Sequence, residues 1–304
     1  MDLRLLEYFL RVAELGSINR AAADLRLSQP ALSRHIALLE HEMGTALFNR
    51  TRSGVTLTSP GELLSERARP LLRQFTILKE QVGEKAVGQL AIGINYGWEN
   101  VFASTFVAKM SIQHPGIALR IYEGVSNLLL DHMAAGLLDL CIIPASTSPG
   151  GGYRQRALAR EPLVLVGALN DGLQSDHPVS LSRLHAMRLI LPGRSSLLRN
   201  QIEQSLESEG LTPRIAVETD GLTLSLDLAR RGIGYTVVPA SAVYNHGLGD
   251  AISWAPLEGQ FLTWALYENA ARTHSQAVQA GRKMVVQTLS EVLTSGTWLG
   301  QPVG

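Results

Sequence analysis

Cysteine is nearly missing from this chain of 304 residues: Cys141 stands alone. That excludes an intramolecular disulfide framework and any cysteine-cluster metal site. A surplus of either charge is also missing, since 27 Lys and Arg balance 27 Asp and Glu. A globally basic nucleic-acid binder is therefore excluded, and any such contact must come from a local patch. No apolar run reaches the roughly 18 residues that a membrane helix needs. The signatures HExxH, GxxxxGK[ST] and GxSxG do not occur, and the eight histidines are scattered, with His114 and His132 sharing no ligand spacing. Gly232-Ile233-Gly234 precedes its strand instead of following one, so it reads as a helix end and turn and not as a dinucleotide fingerprint. Catalytic and metal sites are thus expected to be absent. The opening MDLRLLEYFLRVAELGS sets Asp2, Glu7 and Glu14 among its apolar residues. It reads as an amphipathic helix and not an export signal, and a cytoplasmic protein is expected.

What is present is a core-forming composition, 45% hydrophobic and 18% charged. At roughly 100–200 residues per domain, the length suits two or three compact units. Leu3, Leu6, Phe9, Leu10 and Ala13 recur at helical spacing behind Asp2 as cap, and Gly16 ends the helix. Ser17 caps a second helix that turns Ala21, Ala22 and Leu25 inward. After Arg26 and Leu27, Ser28 caps a third, with Pro30 in its first turn and Leu32, Ile36, Leu39 and Met43 as its buried face. Two short helices around a tight turn, the second opening on polar residues, are the layout of a helix-turn-helix. Glutamine suits adenine and arginine suits guanine, so Gln29, Ser33 and Arg34 form the expected groove-reading set, and Ser28 and Pro30 join them as expected DNA-binding residues. The plain alternative is a solvated surface helix. Next, NRTRSGVTLT reads as two short strands about Ser53-Gly54, a wing that offers Arg50 and Arg52 to phosphates or the minor groove. Up to Thr58 there are seven basic and six acidic side chains. So weak a field calls for a dimer that doubles the binding surface.

Ser59-Pro60-Gly61-Glu62 reads as a capping box opening a long helix. Within it Leu64, Ala68, Leu71, Phe75, Leu78 and Val82 alternate spacings of four and three, the heptad seam of a dimer. The alternative is a helix packed on its own domain. Beyond Gly88, strand-like and helix-like pieces alternate, as in helix-covered parallel sheets. Cys141 falls in the apolar run Leu140 to Ile143, where a buried, inert thiol is expected. In such sheets ligands sit beyond the carboxyl ends of strands, at helix N-termini. That rule selects Asn95-Tyr96-Gly97-Trp98, Ser126-Asn127, Pro192 to Ser196, and Thr219, Asp220 and Thr223. Hydroxyls and helix N–H groups favour an anion, whereas Tyr96 and Trp98 could instead wall off an apolar ligand; a plain N-cap is the alternative for each hydroxyl.

The N-terminal block closely resembles the DNA-binding domain of LysR-type transcriptional regulators. The matching residues are Gly16-Ser17, Ala21-Ala22, Leu25, Ser28-Gln29-Pro30-Ala31-Leu32-Ser33, Ile36, Leu39-Glu40, Gly44, Leu47-Phe48, Arg50, Leu57-Thr58 and Gly61. Ile18 and Pro60 depart from the usual Phe and Ala. The likeness continues more loosely to about Tyr267, and its general look is closest to regulators of nitrogen assimilation or cyanate use. It implies an α/β architecture in three parts: a winged helix-turn-helix over 1–58, a linker and dimerisation helix over 59–88, and a two-lobed, periplasmic-binding-protein-like effector domain over 89–304. Lobe I is expected at 89–160 and 268–304, lobe II at 161–267. It implies effector contacts at Asn95, Tyr96, Ser126, Ser195 and Ser196; Trp98 and Asn127 join the set from the strand-end rule above. No cofactor is expected beyond a small effector. The implied partners are double-stranded promoter DNA, RNA polymerase and further copies of the chain, as homodimers and homotetramers at the bacterial nucleoid, with no membrane. The rival reading is a cytosolic solute-binding or enzymatic α/β protein whose N-terminal helices only dimerise.

Overall fold

The computed structural model describes residues 2–51, 54–82, 88–145, 152–244, 251–273, 275–296 and 298–303. Two compact units divide the chain: Met1–Glu84 with Ala135–Leu137 in the first, Lys85–Ala134 with Leu138–Gly304 in the second.

The first unit opens with α1 (Leu3–Leu15), α2 (Ile18–Asp24) and α3 (Gln29–Met43). Asp2, Ser17 and Ser28 each accept a first-turn backbone N–H, from Arg4, Arg20 and Ala31. Such caps satisfy donors that have no partner inside the helix. The turn between α2 and α3 holds Arg26 at φ +55°, the only non-glycine among the described residues in the left-handed region. Leu6, Phe9, Val12, Ala21, Leu32, Ile36, Leu39 and Leu47 form one buried core. Met43, expected inside, is exposed on the last turn of α3.

Strands β1 (Phe48–Thr51) and β2 (Gly54–Leu57) form an antiparallel pair, Phe48 opposite Leu57. The wing is docked at both ends. Glu40 Oε1 accepts the N–H groups of Leu47 (2.8 Å) and Phe48 (3.2 Å), and Val55 donates to the Gly16 carbonyl (3.0 Å). A Cβ on Gly54 would lie 2.4 Å from that carbonyl oxygen, so a larger residue could not come this close.

Helix α4 (Ser59–Val82) is capped by Thr58 rather than Ser59: Thr58 Oγ1 accepts from Gly61 N–H (3.1 Å) and donates to the Ala46 carbonyl (2.7 Å). Its first half is no free linker. Ala68 is 2% exposed and packs, with Leu64 and Leu72, into the core of the first unit.

In the second unit the chain runs β3 (Gln89–Asn95), α5 (Ser104–Gln113), β4 (Ala118–Gly124), α6 (Ser126–Ala134), β5 (Leu140–Pro144), β6 (Tyr153–Ala168), β7 (Arg188–Leu191), α7 (Leu197–Ser208), β8 (Arg214–Glu218), α8 (Leu222–Arg230), β9 (Tyr235–Pro239), β10 (Ile252–Asn269), α9 (Gln276–Thr294) and β11 (Gln301–Pro302). Among the described residues these strands follow the order β4-β3-β5-β10-β6-β9-β7-β8, with β11 beside β6. The sheet is mixed, not all parallel: β3 runs parallel to β4 and β5, and β7 to β8 and β9, while β10 is antiparallel to both β5 and β6.

The two antiparallel strands are the crossings between lobes. The first half of β6 pairs with the second half of β10 in one lobe. The second half of β6, Leu163 to Val166, pairs with β9 in the other. The ladder between them shifts register between Pro256 and Phe261. The outward crossing therefore falls at Glu161 and Pro162, while the return crossing precedes Phe261 and not Tyr267, because Trp264 to Glu268 already pair with β5 of the first lobe. A buried ion pair braces that lobe. Arg272 Nε donates to Asp139 Oδ1 (2.8 Å), and Asp139 Oδ2 accepts the Ala91 N–H (2.8 Å).

Candidate functional site

On the first unit, the opening turn of α3 exposes Gln29, Pro30 and Arg34, with Ser33 half-buried. Gln29 Nε2 donates to Ser33 Oγ (2.8 Å) and Arg34 Nε to the Pro30 carbonyl (3.3 Å). Both bonds stay within the helix and on its surface, so base edges can replace them at little cost. Ser28 serves as the cap. Arg50 lies on β1 opposite Val55, and Arg52 with Ser53 lies outside the described residues.

The seam residues of α4 part company. Ala68 faces the core, and Leu64 packs against it. Leu71 and Leu78 stay exposed, at 48% and 54%, and Leu63 adds 57%; Phe75 is half-buried, and the side chain of Val82 lies outside the described residues. Leu63, Leu71 and Leu78 stand on neighbouring stripes of the helix surface, beside the face that packs on its own unit.

In the second unit Asn95, Tyr96, Ser126, Asn127, Ser195 and Ser196 line one cavity of roughly 200 Å³ between the lobes. Asn95 caps the single turn Tyr96–Trp98: its Oδ1 accepts from Gly97 N–H (3.2 Å), and its Nδ2 donates to Ser126 Oγ (3.4 Å). Asn127 Nδ2 reaches across to the Ser195 carbonyl (3.0 Å), one direct bond between the two lips. Ser196 and Gly221 head α7 and α8 with no side-chain cap bond, so first-turn N–H groups there are available to a ligand. Trp98 does not wall the cleft. It is fully buried behind it, with its ring 5.3 Å from Phe102 and from Trp264 and 5.4 Å from Trp298.

Leu262, Trp264, Val237 and Val238 complete an apolar floor that strand-end reasoning missed, because each lies within a strand and not beyond its end. Asp220 is the one charged side chain among the described lining residues, and its Oδ1 accepts the Gly193 N–H (2.9 Å). The expected anion would therefore depend on helix N–H groups and neutral side-chain donors, against a carboxylate at the rim. At the adjoining mouth stands Glu99, whose charge, second to burial, holds the Glu123 carboxyl above its usual range.

Residues 3–62 match the model of the bacterial regulatory helix-turn-helix protein of the lysR family, and residues 83–290 match the LysR substrate binding domain. The chain belongs to the LysR family. Among its relatives, the nitrogen assimilation regulatory protein nac of Klebsiella aerogenes is 31% identical over 97% of this chain and 95% of its own length. The HTH-type transcriptional regulator BbuR of Bordetella bronchiseptica is 29% identical over 99% and 94%. In fold, this LysR-family chain resembles full-length CbnR in complex with its target DNA, with a TM-score of 0.69 at 22% identity over 96% of this chain and all of CbnR. Both relatives are regulatory proteins by name, BbuR a transcriptional regulator, as the sequence resemblance implied. No described helix is long and apolar enough to cross a membrane.

Proposed function

We propose that this chain is a ligand-responsive regulator of transcription that acts in the bacterial cytoplasm, at the nucleoid. It binds promoter DNA as a homodimer, and pairs of dimers assemble into tetramers that engage RNA polymerase. Gln29, Ser33 and Arg34 read base edges while Arg50 and Arg52 hold the backbone. Leu63, Leu71 and Leu78 cover one another's counterparts in the partner copy. A small molecule enters the lobe cleft and acts through its different affinity for two subunit arrangements, a coupling of about 1–3 kcal/mol in such systems. The cleft chemistry favours a ligand with an apolar body and a polar end that reaches Asn95, Ser126 and Ser196. Catalytic turnover has no part in this role.

The observation that carries the reading is the capped α3 with its polar first turn turned outward, beside a wing docked through Glu40 and Gly16. The test compares Arg34→Ala with Arg50→Ala on DNA from upstream of the protein's own gene. Arg34→Ala should cost about 1–3 kcal/mol and relax the preference at one base position, whereas Arg50→Ala should weaken all sequences alike and flatten the salt dependence. Footprints identical to the parent's in both variants would overturn the assignment.

A further inference from the structure

Glu161 takes no part in any role given above, yet it is a buried carboxyl at the junction of the two lobes. It lies on β6 at the outward crossing, opposite Leu262, with no exposed surface. Four donors converge on it. Trp264 Nε1 and Ser241 Oγ (2.9 Å) reach Oε1; Trp298 Nε1 (2.7 Å) and the Ser241 backbone N–H (2.6 Å) reach Oε2. Burial pushes this carboxyl above its usual range, and the four donated bonds pull against that shift. Each of its two oxygens accepts two of the four bonds.

The donors belong to three separate places. Ser241 sits in the turn after β9, in the second lobe; Trp264 belongs to the first-lobe half of β10; Trp298 belongs to the segment leading into β11, which pairs with Arg160 and Ala159. Two of them also meet the cleft, Trp264 directly and Ser241 through Gly97. Trp264 is part of its floor, and Ser241 Oγ stands 3.3 Å from where a Cβ on Gly97 would lie, with Trp264 at 3.7 Å from the same point. Gly97 is the middle of the turn that presents Asn95 and Tyr96. A carboxylate behind the cleft therefore holds in register the cleft turn, its floor and the second lobe.

We infer that Glu161 is the positioning residue of the ligand cleft, holding Trp264 and Ser241 against the Asn95–Trp98 turn so that the two lobes meet at the angle that forms the site. The inference rests on the cleft being the effector site, but its test needs no effector. In the full-length protein, Glu161→Gln keeps the shape and replaces one acceptor oxygen by an NH2 group that faces two donors. Hydrogen exchange read by mass spectrometry should accelerate tenfold or more over residues 95–98, 240–243 and 298–302, while α7 and the first unit stay within twofold. The near-ultraviolet circular dichroism of the indole cluster should change with an unaltered far-ultraviolet spectrum. Ser241→Ala removes one side-chain donor and should give a smaller acceleration in the same three segments; the double variant should be no worse than Glu161→Gln alone. If Glu161→Gln fails to fold, Ser241→Ala decides. Uniform acceleration across the second unit, or unchanged exchange over 95–98, would reduce Glu161 to a packing residue and overturn the inference. A separate screen in which no small molecule stabilises the wild-type chain would sink the cleft reading and leave the exchange results standing.

Discussion

Single residues were legible where a local rule governs them. Asp2, Ser17 and Ser28 are caps because a short polar side chain before an apolar helical repeat meets an unpaired N–H, whatever the rest of the fold does. Trp98 lies behind the cleft because position after a strand says nothing about which way a ring turns, and here its neighbours Trp264 and Trp298 are remote in sequence. Glu161 was invisible for the same reason, since its partners lie 80 to 137 residues away. Cys141 is wholly buried on β5, and burial pushes its thiol up, away from the reactive thiolate. The native protein should therefore leave a thiol-reactive disulfide reagent untouched for hours and release a full equivalent once urea unfolds it. Rapid reaction of the folded protein would contradict the packing described.

At the scale of elements, the capped helices followed from periodicity and punctuation, whereas the long strands did not. The first half of β6 carries Arg154, Arg156 and Arg160, which break the apolar run that Leu163 to Val166 then supplies, so only its second half reads as a strand. The lobe boundary at Tyr267 that the family resemblance implies falls within β10, inside the stretch Trp264 to Glu268 that pairs with β5. The seam of α4 was legible as a repeat but not in its allegiance, since a heptad and a helix packed on its own unit share the same spacing. The helix is held partly by charge. Glu14 of α1 accepts from Arg69 (2.8 Å) and Arg11 (3.1 Å). Burial alone would raise the Glu14 carboxyl, but the two guanidinium groups outweigh it and hold it below its ordinary value. A lowered folded value means stability that is present above the unfolded pKa and lost as pH falls through the folded one. Because these side chains are more than one-third exposed, Glu14→Gln should cost only about 0.2–1 kcal/mol at pH 7. It should also flatten the acid limb of stability against pH in urea titrations of residues 1–84; an unchanged limb would show that the pair contributes nothing.

At the scale of the molecule, association is expected to hang on the exposed leucines of α4. Leu71→Asp with Leu78→Asp should leave the first unit folded, because neither side chain belongs to its core, and should shift sedimentation to the monomer. DNA affinity should fall with it by tenfold or more, since two linked half-sites bind with an effective concentration that a monomer lacks. A variant that still sediments as a dimer would move the interface elsewhere. The cleft has its own tie, the bond from Asn127 to the Ser195 carbonyl. Asn127→Ala removes one exposed hydrogen bond, about 0.5–1.5 kcal/mol, and should enlarge the radius of gyration seen by X-ray scattering without changing thermal stability by more than that amount.

The two lobes are joined by β6 and β10, which pair on either side of the crossing, the ladder being interrupted between Pro256 and Phe261. A ribbon of this kind resists sliding and shearing far more than it resists bending, so the lobes are left with essentially one soft coordinate. Any molecule that closes them by a given angle then delivers the same signal, whatever its chemistry. A sensor built this way announces that its chamber is filled and leaves the question of what fills it to the walls.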